Sequence, residues 1–322
     1  MATSVGSRAT SAFRQTFQTD RKDFLQWFPG HMGKSLKKMQ QNLKNVDLII
    51  EVHDARVPLS GRCMELKTTL GGIKPHLFVL NKKDLTDMKY MDSAIERLNQ
   101  DGVKNVILTN FKDQTCSGMK SILPLAKKLI KDSNRFNREN ENEFSIMVIG
   151  VPNVGKSSLI NRLRNKHLGK ANAARVGAVA GITRAVSTRV KIAENVYLVD
   201  TPGILSPEIR DVHGGMKLSL IGCLLDHLVG QEKMVDYLLF WLNKQERFEY
   251  VEKLGLPEPS DNVIEVLGRI AINLGITLKI RNFDGQLMTK PNYAHAAEHF
   301  IRLFRSGELG QYCLDQDILG AF

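Results

Sequence analysis

An eight-residue stretch near the middle of the chain has the residue types needed to bind phosphate. Residues 150–157 read GVPNVGKS and fit G-x-x-x-x-G-K-[ST], a glycine-rich loop whose backbone N–H groups surround phosphate oxygens. An apolar run of strand type, residues 144–149, precedes the loop, and residues 158–164 place apolar side chains on one helical face. This order of strand, loop and helix favours a phosphate site over the alternative, a glycine-rich turn ahead of a helix.

Several side chains of this loop have the chemistry to hold a nucleotide. Lys156 is placed to reach the β- and γ-phosphates, which makes it a catalytic candidate, and the Ser157 hydroxyl is placed to bind Mg²⁺. Gly155 lets the backbone wrap a phosphate without a Cβ clash. The loop residues predicted to contact the nucleotide are Asn153, Val154, Gly155, Lys156, Ser157 and Ser158.

A second polar stretch, Asn81-Lys82-Lys83-Asp84, follows an apolar strand and fits N-K-x-D. A carboxylate at Asp84 can accept both N–H groups on the Watson–Crick edge of guanine, a donor pair that adenine lacks. We expect Asn81 to brace the loop and the Lys82 stem to cover the base. The alternative is a helix N-cap after a strand, but a phosphate loop in the same chain favours guanine binding.

A third stretch, Asp200-Thr201-Pro202-Gly203, ends another predicted strand and fits D-x-x-G. We expect Asp200 to hold Mg²⁺ through a water molecule and the Gly203 N–H to sense the γ-phosphate. Thr183 lies in a glycine-rich segment between the phosphate loop and this motif. It is the third catalytic candidate, expected to close over Mg²⁺ and the γ-phosphate.

Strand and helix patterns alternate through roughly the first two thirds of the chain, which predicts a parallel α/β sheet. After about Met216 the strand patterns largely vanish, so we expect a smaller, mostly α-helical C-terminal domain. Helices are predicted there at residues 218–228, 234–242, 262–274 and 293–305. The predicted division is an N-terminal segment at 1–22, a motif-bearing domain at 23–213 and a helical domain at 214–322.

The composition restricts the partners and the compartment. With 45 Lys and Arg against 34 Asp and Glu, the net charge is +11, which suggests RNA or an anionic membrane surface as a partner. The alternative is an ordinarily basic soluble enzyme. The four cysteines are far apart and read as free thiols in a reducing compartment, with no zinc site. No apolar run is long enough to span a membrane.

The N-terminus has the character of a targeting sequence. Residues 1–19 lack Asp and Glu, carry Arg8 and Arg14, and are rich in Ser and Thr. This composition is typical of a mitochondrial transit peptide, whereas a secretory signal would need an apolar stretch. The alternative is a disordered polar N-terminus.

The motifs occur in a rotated order, with the guanine motif ahead of the phosphate loop, Thr183 and D-x-x-G. This set resembles the circularly permuted GTPases of the YlqF/RbgA ribosome-biogenesis family. The match includes GVPNVGKSS, DTPGI, Asp54-Ala55-Arg56 and the WFPGHM stretch at 27–32, and it is weakest beyond about residue 255. The resemblance implies a permuted P-loop GTPase domain with GTP or GDP and Mg²⁺ as ligands.

Three positions depart from the usual GTPase pattern or add to it. Ile204 stands where Ras-like enzymes carry the Gln that orients the attacking water, so we expect slow intrinsic turnover that a partner stimulates. His31 is the family's candidate for that task; the alternative is a structural turn residue. Asn153 sits where similar GTPases hold K⁺ beside the phosphates. The alternative is that its side chain only braces the phosphate loop. The loop at Thr109-Asn110, which is expected to contact the guanine base, departs from the Ser-Ala that GTPases usually carry there.

Together, the transit-like N-terminus and the resemblance imply a GTPase of the mitochondrial matrix. Its expected partner is the mitochondrial large ribosomal subunit, rRNA and proteins, and its expected tasks are subunit assembly and regulation of translation; no DNA partner is expected. Basic helices at 34–44 and in the C-terminal domain would contact rRNA phosphates, unless they are ordinary solvated faces. Two other interpretations stay open: a regulatory switch peripheral on the matrix side of the inner membrane, and a nucleotide-binding scaffold that never hydrolyses.

Overall fold

A computed structural model describes residues 13–18, 43–62, 74–135, 138–169, 189–200, 211–281 and 286–320, the side chains of Val199 and Asp200 excepted. The chain forms two compact units. The sheet unit comprises residues 28–224 and 311–322. The helical unit comprises residues 1–27 and 225–310.

Six strands form the central layer of the sheet unit. They are β1 (Leu48–Asp54), β2 (His76–Asn81), β3 (Val106–Leu108), β4 (Phe144–Ile149), β5 (Arg189–Ala193) and β6 (Val196–Asp200). Their order is β3-β2-β1-β4-β6-β5, and every neighbouring pair is parallel except β5 with β6. β1 is buried along its whole length, although it includes Glu51, His53 and Asp54. β2 and β4 are buried at all but their first residue, as is usual for strands of a parallel sheet covered on both faces. The predicted parallel α/β fold is confirmed.

The chain builds this sheet in two halves. The half β3-β2-β1 comes first, and β4-β6-β5 follows, joined to it by parallel pairing of β1 with β4, for example Ile49 opposite Met147. The strand that precedes the phosphate loop therefore lies beside the first strand of the sheet, although residues 55–143 separate them.

The connection between the two halves, residues 132–143, is tied to the base of the sheet by Asp47. This carboxylate is buried and accepts hydrogen bonds from the Ser145 N–H at 2.7 Å and from the Arg138 Nε at 3.1 Å. The Arg135 guanidinium lies 3.3 Å from the same carboxylate. Two arginines of this polar linker thus pair with one buried carboxylate, which ties an otherwise largely exposed segment to the sheet.

Four longer helices belong to the sheet unit: α1 (Met91–Gln100), α2 (Ser117–Lys131), α3 (Lys156–Leu168) and α4 (Val212–Leu220). α1 packs Met91, Ala94 and Leu98 against Phe78 and Leu80 of β2. The helix predicted at 218–228 is wrong, because α4 ends at Leu220 and α5 (Asp226–Val229) is a separate short helix. Gly222, with φ of 81°, adopts a left-handed conformation that stops the first helix.

Besides α5, the described residues of the helical unit form four helices and one hairpin. They are α6 (Gln231–Lys244), α7 (Glu249–Leu254), α8 (Val263–Asn273), α9 (Tyr293–Ser306), and the antiparallel strands β7 (Thr277–Arg281) and β8 (Leu287–Pro291). α6 is the central helix and buries most of its residues, while α8 and α9 pack beside it. The mostly helical character is as predicted. Among the described residues, no helix is long and apolar enough to cross a membrane.

A short N-terminal segment, residues 13–18, packs within the helical unit. The Phe17 ring meets the Tyr237 ring edge-on with centroids 5.0 Å apart. Arg14 pairs with Asp236 at 2.8 Å, and its backbone N–H donates to the Asp261 carboxylate at 2.6 Å. Part of the segment predicted as transit-like is therefore in contact with the helical unit.

The last described residues, 311–320, return to the sheet unit and include the short helix α10 (Gln316–Leu319). Cys313 and Leu319 are buried in the cluster that contains Phe78 and Ala94. The observed division thus differs from the predicted boundaries of 23–213 and 214–322, because α4 and this tail both group with the sheet.

Candidate nucleotide-binding site

The polar motifs gather at one edge of the sheet. β1, β2, β4 and β6 run parallel, so their carboxyl ends lie at the same edge, which is where ligands of such sheets bind. Asp54 ends β1 and Asn81 ends β2. The phosphate loop follows β4, and Asp200 ends β6 in register with Val148.

Two glycines let the phosphate loop fold tightly between β4 and α3. Gly150 has φ of 147° and Gly155 has φ of 110°. A Cβ on Gly150 would lie 2.3 Å from the Val52 carbonyl oxygen, and one on Gly155 would lie 2.5 Å from Asn81 Nδ2. Only glycine fits these positions without displacement. Gly155 is also the N-cap of α3, so the positive end of the helix dipole lies at the loop, where an anion is favoured.

Three polar residues, Lys156, Ser157 and Ser158, follow the loop at the start of α3. Lys156 is the first residue of α3, and its Nζ donates to the Val151 carbonyl at 2.7 Å, which keeps the ammonium group over the loop. Ser157 and Ser158 follow in the first helical turn and are half-buried. The cation and both hydroxyl groups thus lie where the sequence pattern predicts phosphate.

Asn81 joins three segments of the site. Its side chain is buried, and Nδ2 donates to the Val154 carbonyl at 2.8 Å. Its Oδ1 accepts a hydrogen bond from the Phe111 N–H at 3.1 Å and lies 3.5 Å from the Thr109 hydroxyl. The bracing contact expected of Asn81 is therefore a direct hydrogen bond between the guanine motif and the phosphate loop.

Lys82 is held by a buried carboxylate. It has φ of 62°, a left-handed conformation that is uncommon without glycine, and its Nζ lies 2.9 Å from Asp54 Oδ2. Arg56 binds the same carboxylate through Nε at 2.9 Å and Nη2 at 2.8 Å. Burial alone would raise the pKa of Asp54, but the charges of Arg56 and Lys82 lower it well below its usual value. Sequence reasoning had found Asp54 and Arg56 only as a family signature, without this role.

The part of the guanine motif that is predicted to read the base lies in a single turn of 3₁₀ helix at Lys83–Leu85. The Asp84 side chain is exposed, so the carboxylate predicted to accept from guanine is open to a ligand. The first N–H of the turn donates to the Thr109 carbonyl at 3.0 Å. Thr109 donates its hydroxyl to the end of β2, and Asn110 accepts from the Lys112 N–H at 2.9 Å. The side chains of the loop at Thr109-Asn110 are thus used within the protein.

The outer side of the phosphate loop is bonded to the turn after α4. Asn153, with φ of 60°, donates from Nδ2 to the Gly222 carbonyl at 2.6 Å. The Cys223 thiol donates to the Pro152 carbonyl at 3.1 Å. Burial and the nearby charge of Asp54 raise the pKa of Cys223 to about 12, so the thiol keeps the proton that it donates. No sequence signal had pointed to Gly222 or Cys223.

Three predicted site residues, His31, Thr183 and Gly203, lie outside the described residues. Of the D-x-x-G motif the structure describes the backbone of Asp200 as the last residue of β6. The structure therefore brings the base and phosphate motifs together, and the positions of the other predicted residues stay predictions.

The strand order and the order of the motifs along it define a GTPase domain with a circularly permuted chain. Residues 145–265 match a family model described as a 50S ribosome-binding GTPase. The fold is similar to that of GNP-bound YlqF from T. maritima, with a TM-score of 0.53 at 22% identity, over 86% of this chain and 95% of that one. The predicted P-loop GTPase fold is confirmed.

Relatives of similar length identify the family. The chain is 52% identical over 312 residues to mitochondrial GTPase 1 of Aedes aegypti, covering 96% of this chain and 99% of the relative. It is 49% identical over 316 residues to mitochondrial ribosome-associated GTPase 1 of Mus musculus, covering 96% of each. It is 31% identical over 292 residues to ribosome biogenesis GTPase A of Bacillus cereus, covering 89% and 92%. The chain belongs to the mitochondrial GTPase 1 family and is a GTP-hydrolysing protein.

Proposed function

We propose that this protein is a mitochondrial matrix GTPase that binds the large ribosomal subunit or its late precursor, and that it acts in subunit assembly and in the regulation of mitochondrial translation. The observation that carries the proposal is near-full-length similarity to proteins named for mitochondria and for ribosome association. GTP favours the ribosome-bound form, and hydrolysis releases the protein.

A cluster of positive charge on the sheet unit supports an rRNA partner. After the larger effect of burial, the charges of Lys166 on α3 and Lys127 on α2 both lower the pKa of His167, so the two cations lie near one imidazole. Lys128 and Lys131 add exposed positive charge to α2. We call the four lysines the α2–α3 basic cluster. Phosphate contacts through it are expected to weaken steeply as salt rises.

The nucleotide is assigned to the edge of the sheet where the motifs gather. Asp84 accepts the two N–H groups of the guanine Watson–Crick edge, and Lys156 turns from the loop carbonyl to the β- and γ-phosphates. Mg²⁺ fits the oxygen donors of Ser157, Thr183 and Asp200, of which Ser157 lies in the helical turn next to the glycine cradle. When bound, Mg²⁺ neutralises phosphate charge.

Catalysis is proposed to depend on the ribosomal partner, because Ile204 cannot hydrogen-bond the attacking water. His31 is the proposed residue that orients this water, and the Gly203 N–H senses the γ-phosphate. The test is GTP turnover by the purified protein with and without mitochondrial large ribosomal subunits. We expect stimulation of about tenfold or more. Unchanged turnover with intact GTP binding would refute ribosome activation, and full stimulated turnover of His31→Ala would remove His31 from the mechanism.

K⁺ is proposed to bind beside the phosphates at Asn153. The hydrogen bond to Gly222 uses the nitrogen end of the amide, whereas a cation needs the oxygen end. The fixed positive charge would stabilise the developing negative charge on the phosphates. Faster turnover in K⁺ than in Na⁺ buffer, lost in Asn153→Ala, is the expected result; equal rates in the two buffers would leave Asn153 with the bracing role alone.

Within the matrix, we propose that the protein can lie on the matrix side of the inner membrane. The second candidate function is a GTP-dependent switch that is peripheral to this membrane. The α2–α3 basic cluster is the observation that favours it, because an anionic leaflet attracts such clusters as rRNA does. Fractionation separates the two functions. Co-sedimentation with ribosomal subunits at low salt supports the ribosomal role, while extraction from membranes by high salt without ribosomal co-sedimentation supports the switch.

The N-terminus is proposed to act in mitochondrial import, with any cleavage falling before Phe13. Residues 1–19 have the composition typical of a transit peptide, but Phe13 and Phe17 contact the aromatic rings of Phe248 and Tyr237 within the helical unit. Removing them would expose apolar surface of that unit. N-terminal sequencing of the protein from mitochondria tests this point. A mature N-terminus after Phe17 would contradict it.

A further inference from the structure

The C-terminal tail, residues 311–320, bonds directly to the turn that carries the guanine-reading carboxylate. The Gln311 side chain donates from Nε2 to the Asp84 carbonyl at 2.9 Å. The Tyr312 backbone N–H donates to the Leu85 carbonyl at 3.1 Å. Two successive carbonyl groups of the 3₁₀ turn at Lys83–Leu85 are therefore fixed by residues more than 220 positions later in the sequence.

The tail is itself firmly anchored, so it can act as a fixed support. The Leu314 N–H donates to the Arg56 carbonyl at 2.8 Å. The Asp315 carboxylate is fully buried and accepts from the backbone N–H groups of Leu59 and Ser60, each at 2.8 Å. The buried ammonium group of Lys217 lies 3.4 Å from the same carboxylate. A buried carboxylate with this many donors holds its surroundings rigidly.

The guanine motif is thus held from two directions. On one side Asp54 binds the ammonium group of Lys82 at 2.9 Å, and on the other the tail binds the carbonyls of Asp84 and Leu85. The Asp84 carboxylate lies between these contacts and is exposed. A bidentate contact to a base tolerates little displacement, so supports of this kind decide how well it forms.

We propose that the C-terminal tail positions the 3₁₀ turn at Lys83–Leu85, and that Gln311 is the residue that orients the Asp84 carboxylate toward guanine. Gln311 is a positioning residue because it acts through the Asp84 backbone and does not itself meet the base. The inference rests on the proposed reading of guanine by Asp84. It goes further in making residues 311–320, which are distant from Asp84 in the sequence, part of nucleotide specificity.

The test compares the affinities for GDP and for inosine diphosphate, which lacks the 2-amino group that Asp84 reads. Gln311→Met keeps the length of the side chain and removes its donor, and the residue is exposed, so the fold is retained. We expect the affinity for GDP to fall about 3- to 10-fold, the effect of one lost hydrogen bond. The affinity for inosine diphosphate should fall less, so the ratio of the two affinities should move toward one.

Gln316→Met, farther along the tail in α10, is the matched control and should leave the ratio as in the unmodified protein. A purely structural role of Gln311 would weaken both nucleotides equally and leave the ratio unchanged, which would overturn the inference. Asp84→Asn separates this failure from that of the proposed function. If the ratio of the GDP affinity to the inosine diphosphate affinity moves to one in Asp84→Asn but not in Gln311→Met, only the positioning role of Gln311 is refuted. If this ratio is unchanged in Asp84→Asn, the proposed reading of guanine by Asp84 is itself refuted.

Discussion

The Asp54 carboxylate is buried beneath the guanine motif, and its replacement by alanine has a calculable cost. Arg56 would lose its bidentate partner while its side chain is only 2% exposed. Removing one member of a buried ion pair typically costs about 3–5 kcal/mol. With a urea dependence of about 2 kcal/mol per M, the unfolding midpoint of the sheet unit should fall by about 1.5–2.5 M.

The pH of the measurement follows from the pKa of Asp54. Folding lowers this pKa, since the charges of Arg56 and Lys82 outweigh burial, which acts in the opposite direction. The resulting stabilisation is fully present above the pKa of the unfolded chain. It is lost as the pH falls through the lower pKa of the folded state. Neutral buffer therefore reports the whole effect.

The two units can be followed separately in one sample. Cys116, Cys223 and Cys313 are buried and belong to the sheet unit, so their reaction with a thiol reagent reports its unfolding once Cys63 is replaced by serine. In a Trp27→Phe background the remaining tryptophan, buried in α6, reports the helical unit. Asp54→Ala should lower the thiol midpoint and leave the tryptophan midpoint in place.

A less buried pair is the matched control. Asp101→Ala removes the carboxylate that pairs with Arg62; the Asp101 side chain is 32% exposed and the Arg62 side chain 10%, so this change should cost clearly less than Asp54→Ala. Replacing both Asp54 and Arg56 by apolar residues of similar size should restore most of the lost stability, because the buried guanidinium is removed and the remaining Lys82 side chain is 25% exposed to water. A thiol midpoint that falls no further in Asp54→Ala than in Asp101→Ala would refute the reasoning.

Three further outcomes are expected. Gly155→Ala should lower the affinity for GDP by about tenfold or more in a fluorescent-GDP titration, because the new Cβ would lie 2.5 Å from Asn81 Nδ2. Gly169→Ala is the control and should bind GDP normally, because the space around Gly169 is open. Because its pKa is raised to about 12, Cys223 should be alkylated at pH 8 no faster than the sheet unit unfolds, and faster labelling by mass spectrometry would contradict this. Deleting residues 1–12 should leave the tryptophan unfolding midpoint unchanged, whereas deleting 1–18 should destabilise the helical unit by about 1–3 kcal/mol; equal midpoints would show that 13–18 contribute nothing.

The features that could be predicted from the sequence are those determined by short stretches of consecutive residues. The run at 144–149 is apolar throughout, so its burial as β4 follows from the residues alone. The glycines at 150 and 155 require left-handed backbone, and the asparagine at 81 follows a buried strand directly. In each case neighbours in sequence are also neighbours in the structure, and a local pattern is sufficient.

The features that were missed depend on contacts between distant residues. Nothing near Asp315 indicates that it will receive the N–H groups of Leu59 and Ser60. The hairpin of β7 and β8 is a different case, because Thr277–Arg281 alternates polar and apolar residues, a local strand signal that was overlooked; both strands are largely exposed. The single helix expected at 218–228 failed because one left-handed glycine outweighed an apolar run.

The packing of residues 311–320 on the sheet unit has a consequence for how the protein matures. Chains are synthesised from the N-terminus, and their domains generally fold in that order. Here the cluster around Phe78 is closed by Cys313 and Leu319, which leave the translating ribosome long after Phe78 itself. The first half-sheet must therefore wait, incompletely covered, for residues 311–320. A product that terminates before Cys313 lacks this cover, so a stable sheet unit can form only after these distant residues have been synthesised.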